Sequence, residues 1–115
     1  MFDRELVKGS SSLLLLQMLE ERDMYGYELV KELEKRTNNG FSFKEGTLYP
    51  ALHKLEKQEY IECYWQEQEK GPARKYYLIT EAGKEMLLEK TREWHDFVSV
   101  MSKVMGRKKH GTAEE

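Results

Sequence analysis

Cysteine is nearly absent from this chain of 115 residues, which contains only Cys63. A single cysteine cannot form a disulfide within the chain, and an unpaired thiol is more typical of the reducing cytosol than of an oxidising compartment. Cys63 lies in a strand-like segment beside Tyr64 and Trp65, where packing is its ordinary role and a redox switch is the alternative. We therefore expect a cytoplasmic protein.

A long hydrophobic run is also absent. The longest apolar stretch, residues 13–19, is interrupted by Gln17 and flanked by Glu5, Glu20 and Glu21. Such a segment suits neither a signal peptide nor a membrane span. The sequence therefore predicts neither export nor membrane anchoring.

The chain has no excess of positive charge, since 19 Lys and Arg against 21 Asp and Glu leave a formal net charge of -2. This balance weighs against a nucleic-acid partner, because phosphates are neutralised by Lys and Arg. The charges are unevenly distributed, however, and many acids fall within residues 81–93. The basic groups are Lys44, Lys54 and Lys57 in one predicted helix, and Lys70, Arg74 and Lys75 around one predicted turn.

No catalytic or metal-binding constellation is recognisable. An enzyme would need a nucleophile with a base, paired carboxylates or a metal cluster, within reach of one another. The histidines, His53, His95 and His110, are scattered over two predicted helices and a tail, so zinc ligation would need distant segments to converge. We expect no enzymatic activity, no cofactor and no bound metal.

What is present is a regular succession of helical and strand patterns that fits one domain. Apolar residues at helical spacing predict a mostly buried first helix over residues 3–19, which Asp3 can cap and to which Leu6 contributes. A second helix is predicted over residues 26–36, ended by Asn38, Asn39 and Gly40.

The third helix has two possible starts. Ser42 and Glu45 form a capping box, whereas Pro50 is better tolerated if the first turn begins near Thr47; a kink near Gly46 would reconcile both. Its apolar positions should face the core. The outward or edge positions that can offer hydrogen bonds or charge to a DNA groove are Thr47, Tyr49, His53 and Lys54, with Lys44 near the helix start.

Two strands follow over residues 60–66 and 74–79, and they form a β-hairpin. Lys70, Arg74 and Lys75 surround Gly71 and Pro72 at its turn, where they could approach phosphates. Charged residues are equally ordinary in a solvated turn, so the turn by itself favours neither explanation.

Thr80 can cap a last helix over residues 81–105, about 37 Å long at the usual rise per residue. Its seam residues are spaced alternately by four and three, as in a coiled coil, which predicts a partner helix. The alternative is that the seam folds back onto the first helix. The predicted dimer-interface residues are Leu87, Thr91, Trp94, Val98, Met101 and Met105.

Three helices followed by a hairpin is the order of a winged helix-turn-helix. The predicted fold is mainly α with a small β-hairpin. It comprises a winged helix-turn-helix DNA-binding domain over residues 1–80, a long C-terminal dimerisation helix over residues 81–106 and a flexible tail over residues 107–115.

Two runs, GTLYPALHKLEKQ from Gly46 and GPARKYYLITEAG from Gly71, resemble the PadR family of bacterial transcriptional regulators. Residues 13–19 and the run YGYELVKELE from Tyr25 support the resemblance. It implies that residues 46–57 belong to the recognition helix, that residues 71–77 belong to the wing and that the last helix makes the dimer. Ala73 stands where the family pattern has a second basic residue beside the wing proline, which removes one implied phosphate contact.

A single C-terminal helix resembles the short branch of the family, which includes multidrug-sensing repressors. Some of these bind flat aromatic compounds between tryptophans at the dimer centre, and the position of Trp94 in the last helix is similar. The resemblance thus implies Trp94 as a candidate effector-binding residue. Simple interface packing is the alternative for a large aromatic side chain.

The resulting functional hypothesis is a homodimeric repressor that binds a pseudo-palindromic operator in double-stranded DNA and is released by a small aromatic effector. The rival hypothesis is a protein-interaction module that has the winged-helix shape without reading DNA, which the net negative charge favours.

Overall fold

The computed structural model describes residues 3–106, which form four helices and three short strands. The order along the chain is α1 (Arg4–Glu21), β1 (Met24–Tyr25), α2 (Gly26–Arg36), α3 (Glu45–Lys57), β2 (Ile61–Gln66), β3 (Arg74–Ile79) and α4 (Glu81–Met105). The predicted winged-helix class is confirmed, and residues 107–115, predicted to be a flexible tail, lie outside the described residues. None of the described helices combines the length and hydropathy needed to cross a bilayer.

The hairpin is part of a larger sheet than the sequence predicts. The three strands are antiparallel in the order β1-β3-β2. Met24 pairs with Tyr77 and Tyr25 with Tyr76, so an edge strand connects the first two helices. Two residues are too few to show a period of two, which is why only the tertiary pairing reveals β1.

The hydrophobic core lies between α1, α2, α3 and the inner face of the sheet. Leu15, Leu16 and Leu29 are fully buried there. The prediction of a mostly buried first helix is wrong at its N-terminal end, because Leu6 is 58% exposed. Asp3 occupies the N-cap position, but its side chain makes no capping hydrogen bond.

The start of α3 differs from both sequence-based alternatives. The helix begins at Glu45 with Lys44 at the N-cap, and Pro50 lies inside it. Ser42 therefore does not occupy the N-cap position, and its hydroxyl donates instead to the Glu34 carboxylate of α2 at 2.7 Å. Ser42 thus contacts another helix instead of capping α3.

The junction between the sheet and α4 is tightly built. The predicted cap is confirmed: the Thr80 hydroxyl accepts a hydrogen bond from the Gly83 backbone N–H at 3.0 Å and donates to the Glu59 carbonyl at 2.8 Å. A Cβ added to Gly83 would lie only 2.1 Å from the Tyr60 carbonyl oxygen. The first turn of α4 therefore sits directly against the backbone that leads into β2.

Beyond this junction α4 projects from the body of the domain. The molecule measures 63 × 29 × 22 Å, with a radius of gyration of 17.0 Å, whereas a compact chain of about 100 residues has a radius of about 13 Å. Leu87 is buried in the domain core, but residues 92–106 are all exposed. The far half of the helix therefore contributes little to the core of its own chain.

Candidate nucleic-acid interface

The third helix presents a polar face on the side opposite the core. Leu48 and Leu52 are each 1% exposed, because they recur at helical spacing on the inner side of α3. The outer side carries Tyr49, which is 47% exposed, and the exposed side chains of His53 and Lys54. Hydroxyl, imidazole and ammonium groups arranged in this way can hydrogen-bond to base edges or phosphates.

Two further predicted contacts lie at the beginning of α3. Thr47 is half-buried in the first turn. Lys44 is exposed and occupies the N-cap position, so it precedes the helix rather than lying within it. Both side chains remain near the end of the helix that a phosphate could approach.

Tyr49 also makes a close contact with the start of α2. A Cβ added to Gly26 would lie 2.6 Å from the Tyr49 hydroxyl oxygen, which leaves room for no residue but glycine unless the ring moves. The tyrosine therefore crosses the first turn of α2, and this packing fixes its direction. Tyr49 could be predicted from the sequence, whereas the role of Gly26 in positioning it could not.

The wing tip carries fewer clustered charges than predicted. Lys70 is exposed between the two strands, and Gly71 there has a φ of +86°, a conformation that L side chains rarely adopt. Arg74 begins β3, and its side chain is exposed on the outer face of the sheet. Lys75 is the next residue of the same strand, so its side chain points to the opposite face.

Lys75 lies on the inner face, against α3. Its Nζ is 4.0 Å from Glu56 Oε1 and 5.4 Å from the centroid of the Tyr77 ring. The expectation that Lys75 joins Lys70 and Arg74 in one basic cluster is therefore wrong. Because successive side chains of β3 point to opposite faces, Arg74 and Lys75 lie on different sides of the sheet. Lys75 connects the wing to the third helix through its contact with Glu56.

The only cysteine belongs to this inner contact. Cys63 Sγ donates to Glu56 Oε2 at 3.2 Å, and burial together with the Glu56 carboxylate raises the pKa of the Cys63 thiol. Thiolates, not thiols, are the reactive species. The site therefore suppresses thiol reactivity, as expected of a packing residue.

Arg74 contacts a row of stacked tyrosines that was not predicted from the sequence. Its guanidinium carbon lies 4.6 Å from the centroid of Tyr25, whose ring meets Tyr76 edge-to-face at 5.3 Å. Tyr76 in turn stacks on Tyr64 at 5.6 Å, and the Tyr64 hydroxyl donates to Asp23 at 2.9 Å. The available signal was the pairing of Tyr64 with Tyr76 across the hairpin, which places both rings on the outer face.

The predicted seam on α4 divides into a buried and an exposed part. Leu87 is 5% exposed and packs within the core of its own domain, so it has little surface left for a partner, and Thr91 is half-buried. Helix α4 contacts α1, and Trp94 shares a cavity with Leu6 of α1, which agrees in part with the alternative that the seam folds back onto the first helix. The seam residues that stay exposed are Trp94, Val98, Met101 and Met105.

Exposed apolar side chains also extend beyond that seam. Leu88, Phe97, Val100 and Val104 are between 50% and 78% exposed. Apolar residues at this density on a projecting helix are typical of a surface that is covered by another chain.

No group of three or more metal-ligating side chains occurs within residues 3–106. His53 and His95 lie in α3 and α4 respectively, and His110 lies outside the described residues. Nothing in the described part of the chain therefore brings the histidines together.

A helix with an exposed polar face, a preceding helix that contacts it and a wing formed by the β2–β3 hairpin define a winged helix-turn-helix protein of the DNA-binding class. The family model "Transcriptional regulator PadR-like family" matches residues 15–89. The chain belongs to this family, and the resemblance seen in its sequence is confirmed. It is a transcriptional regulator and not an enzyme.

Similar proteins agree with this assignment. An uncharacterized protein of Lysinibacillus sphaericus is 40% identical over 101 residues, 88% of this chain and 93% of that protein. The structure of a transcriptional regulator from Clostridium thermocellum matches with a TM-score of 0.82 and 34% identity, covering 90% of this chain and 97% of that chain. A PadR family transcription regulator from Clostridium difficile has a TM-score of 0.73 and 37% identity, covering 85% and 100%.

Proposed function

We propose that this chain is a sequence-specific repressor that binds a pseudo-palindromic operator as a homodimer. In this mechanism two copies of α3 enter successive major grooves, and the wings reach the neighbouring backbone. The observation that carries the proposal is the exposed face of α3, whose Tyr49, His53 and Lys54 point away from the core beside a wing that carries Arg74. Occlusion of polymerase is the simplest action of a small dimer of this kind.

The pattern of ion pairs supports DNA binding despite the net charge. Arg22, Lys31 and Arg36 are each paired with carboxylates of α1 or α2. Lys54 and Lys70 form no ion pair within 4.0 Å with any other described residue. Cations are thus neutralised around α2 and left available around α3 and the wing tip, so a chain of net charge -2 can still present a basic surface.

The dimer is supported by the projecting half of α4. Its exposed apolar side chains would be costly in water, since burial contributes about 25 cal/mol per Å² of apolar surface. Pairing with a second copy would cover Val98, Met101 and Met105 and would hold two copies of α3 at a defined separation. Because both strands of the operator are then read by identical helices, the half-sites should be inverted repeats.

The proposed repressor also has an effector site at Trp94. A cavity of about 380 Å³ lies between α1 and α4, and it is lined in part by Leu6, Leu13, Trp94 and Phe97. Its volume suits a small aromatic molecule. A ligand bound there would release DNA only if it bound more tightly to a dimer whose helices are wrongly spaced for the operator.

The decisive experiment is selection from a pool of random duplexes, followed by fluorescence anisotropy at several salt concentrations. We expect an enriched inverted repeat whose affinity falls steeply with salt, by a log–log slope of about 0.9 for each phosphate contacted. Weak binding only at low salt, without enrichment, would contradict sequence reading and would favour an interaction module.

A pair of matched variants tests the contribution of Lys54 to DNA affinity. Lys54→Ala should reduce affinity for the enriched site, whereas Lys84→Ala removes the same charge from an exposed position that pairs only with Glu81 among the described residues and should have no effect.

For the effector site, planar aromatics should quench the fluorescence of wild-type protein but not of Trp94→Phe. Trp65, 65% exposed on the wing, reports non-specific quenching. Absence of quenching across the panel would contradict the effector site.

A further inference from the structure

A second, strongly basic cleft lies between the N-terminal half of α1 and the beginning of α3. Its volume is about 660 Å³. Arg4 and Lys8 line it from α1, and Lys44, Thr47 and Lys54 line it from α3. No Asp or Glu is among the described side chains that line it.

The four cations of this cleft are uncompensated. None of them forms an ion pair within 4.0 Å with another described residue, although ion pairs are frequent elsewhere in residues 3–106. Arg4 and Lys8 are one helical turn apart in α1, so their like charges are neighbours and repel each other. Although the chain has more acids than bases, no described carboxylate pairs with the cations of this concave surface.

We infer that this cleft binds the phosphodiester backbone of the same duplex that α3 reads, with Arg4 and Lys8 of α1 as phosphate contacts. The inference rests on the proposed function and deepens it, because it adds a third contacting element to α3 and the wing. Neither Arg4 nor Lys8 stands out in the sequence, where each is an ordinary charged residue on the polar side of a helix.

Continuity with the exposed face of α3 indicates DNA rather than another anion. Lys54 and Thr47 line the cleft and also belong to the α3 residues expected at the groove. A backbone that passes the first turn of α3 would therefore reach Arg4 and Lys8 without leaving the duplex. These contacts carry no base information, so they should add affinity and salt dependence but not specificity.

The test compares Arg4→Ala/Lys8→Ala with wild-type protein on the selected operator and on random duplex. For the dimer, the log–log salt slope should decrease by about 3.6, about 1.8 from each protomer, which corresponds to roughly 150-fold less loss of affinity between 50 and 200 mM salt. Affinity should fall to a similar extent on both duplexes, which leaves their ratio unchanged. Unchanged affinity and slope on both duplexes would overturn the inference.

Two controls make the result specific. Lys84→Ala/Arg92→Ala removes two charges from exposed positions of α4 and should keep the wild-type slope; an equal decrease would show a general charge effect and contradict the cleft. Arg4→Lys/Lys8→Arg keeps both charges and should keep the slope, whereas loss of binding in that variant would indicate a structural role and also contradict the inference. Thermal unfolding of each variant verifies that the fold is intact.

Operator length provides an independent measurement. Shortening the duplex at its ends should weaken wild-type binding once the phosphates beyond the α3 contacts are removed, but should leave the Arg4→Ala/Lys8→Ala variant unaffected at that step. Equal effects on both proteins would overturn the cleft contact. Failure of the proposed function would look different, because wild-type protein would then enrich no operator at all.

Discussion

Substitution of Gly83 by alanine tests whether the junction between the sheet and α4 is as close as the structure shows. The added Cβ would lie 2.1 Å from the Tyr60 carbonyl oxygen and 2.7 Å from Ile79 Cγ1. Distances below 3.0 Å are essentially never found for a Cβ atom, so the helix or the Tyr60 backbone must move. That carbonyl also accepts a hydrogen bond from the Thr80 backbone N–H at 3.1 Å, which the movement would strain.

The expected magnitude follows from opposing contributions. Replacing glycine by alanine in a helix stabilises by about 1 kcal/mol where there is space. Overpacking costs about 1–3 kcal/mol, and a weakened hydrogen bond adds about 1 kcal/mol. Gly83→Ala should therefore destabilise the domain by roughly 1–3 kcal/mol, because the backbone atoms it meets cannot turn aside as a flexible side chain can.

Gly9→Ala is the matched control. Gly9 also lies within a helix, but no atom would be within 4 Å of its added Cβ, so this variant should gain about 0.5–1 kcal/mol. Urea unfolding followed by far-UV circular dichroism, at one fixed protein concentration, measures both variants. If Gly83→Ala is stabilised as much as Gly9→Ala, the close packing of α4 on Tyr60 is refuted.

Three further predictions concern single side chains. Thr80→Ala should lower the free energy of unfolding by about 1 kcal/mol, because it removes the N-cap of α4. Thr80→Ser keeps the hydroxyl and should retain most of the wild-type stability. Equal urea midpoints for the wild-type protein and both variants would contradict the role of Thr80 as a cap. The Cys63 thiol should react slowly with iodoacetamide near neutral pH, and Glu56→Gln should lower the pKa of Cys63 and speed the reaction, since a carboxylate that disfavours the thiolate is lost; an unchanged pH profile would argue against this contact. The Arg36 guanidinium lowers the pKa of Glu21 in the folded protein, so the unfolded state binds a proton at Glu21 more readily. The contribution of this pair to the free energy of unfolding is therefore present above the ordinary Glu pKa and is lost as the pH falls through the lowered value. Arg36→Ala should therefore lose less stability than wild-type protein between pH 7 and pH 3, and equal losses in urea titrations at the two pH values would exclude this contribution.

Those parts of the fold that depend on local signals could be predicted from the sequence. The second helix and α4 have the predicted bounds, because Thr80 caps the latter and Asn38 and Asn39 end the former in left-handed conformations, with φ of 52° and 65°. The strands around the wing follow from their aromatic and β-branched residues. Local chemistry was sufficient in each of these places.

Features that depend on distant contacts could not be predicted in the same way. Ser42 was predicted as a cap of α3, but Lys44 is the N-cap and the Ser42 hydroxyl donates to Glu34 of another helix. Lys75 and Arg74 are neighbours in sequence, and only the pairing of β3 with its flanking strands shows which of them faces α3. The cations of the basic cleft likewise come together only where α1 meets α3, since Arg4 and Lys54 are far apart in the sequence.

The junction at Thr80 and Gly83 has a mechanical consequence for any assembly built on α4. The helix joins the wing without a linker, since β3 ends at Ile79 and α4 begins at Glu81. A rod of about 37 Å that is fixed at one end behaves as a lever, so that a tilt of about 5° moves its free end by roughly 3 Å. Small changes in how two such rods cross would thus be converted into displacements of the wings, and there is no flexible joint between them to absorb the motion.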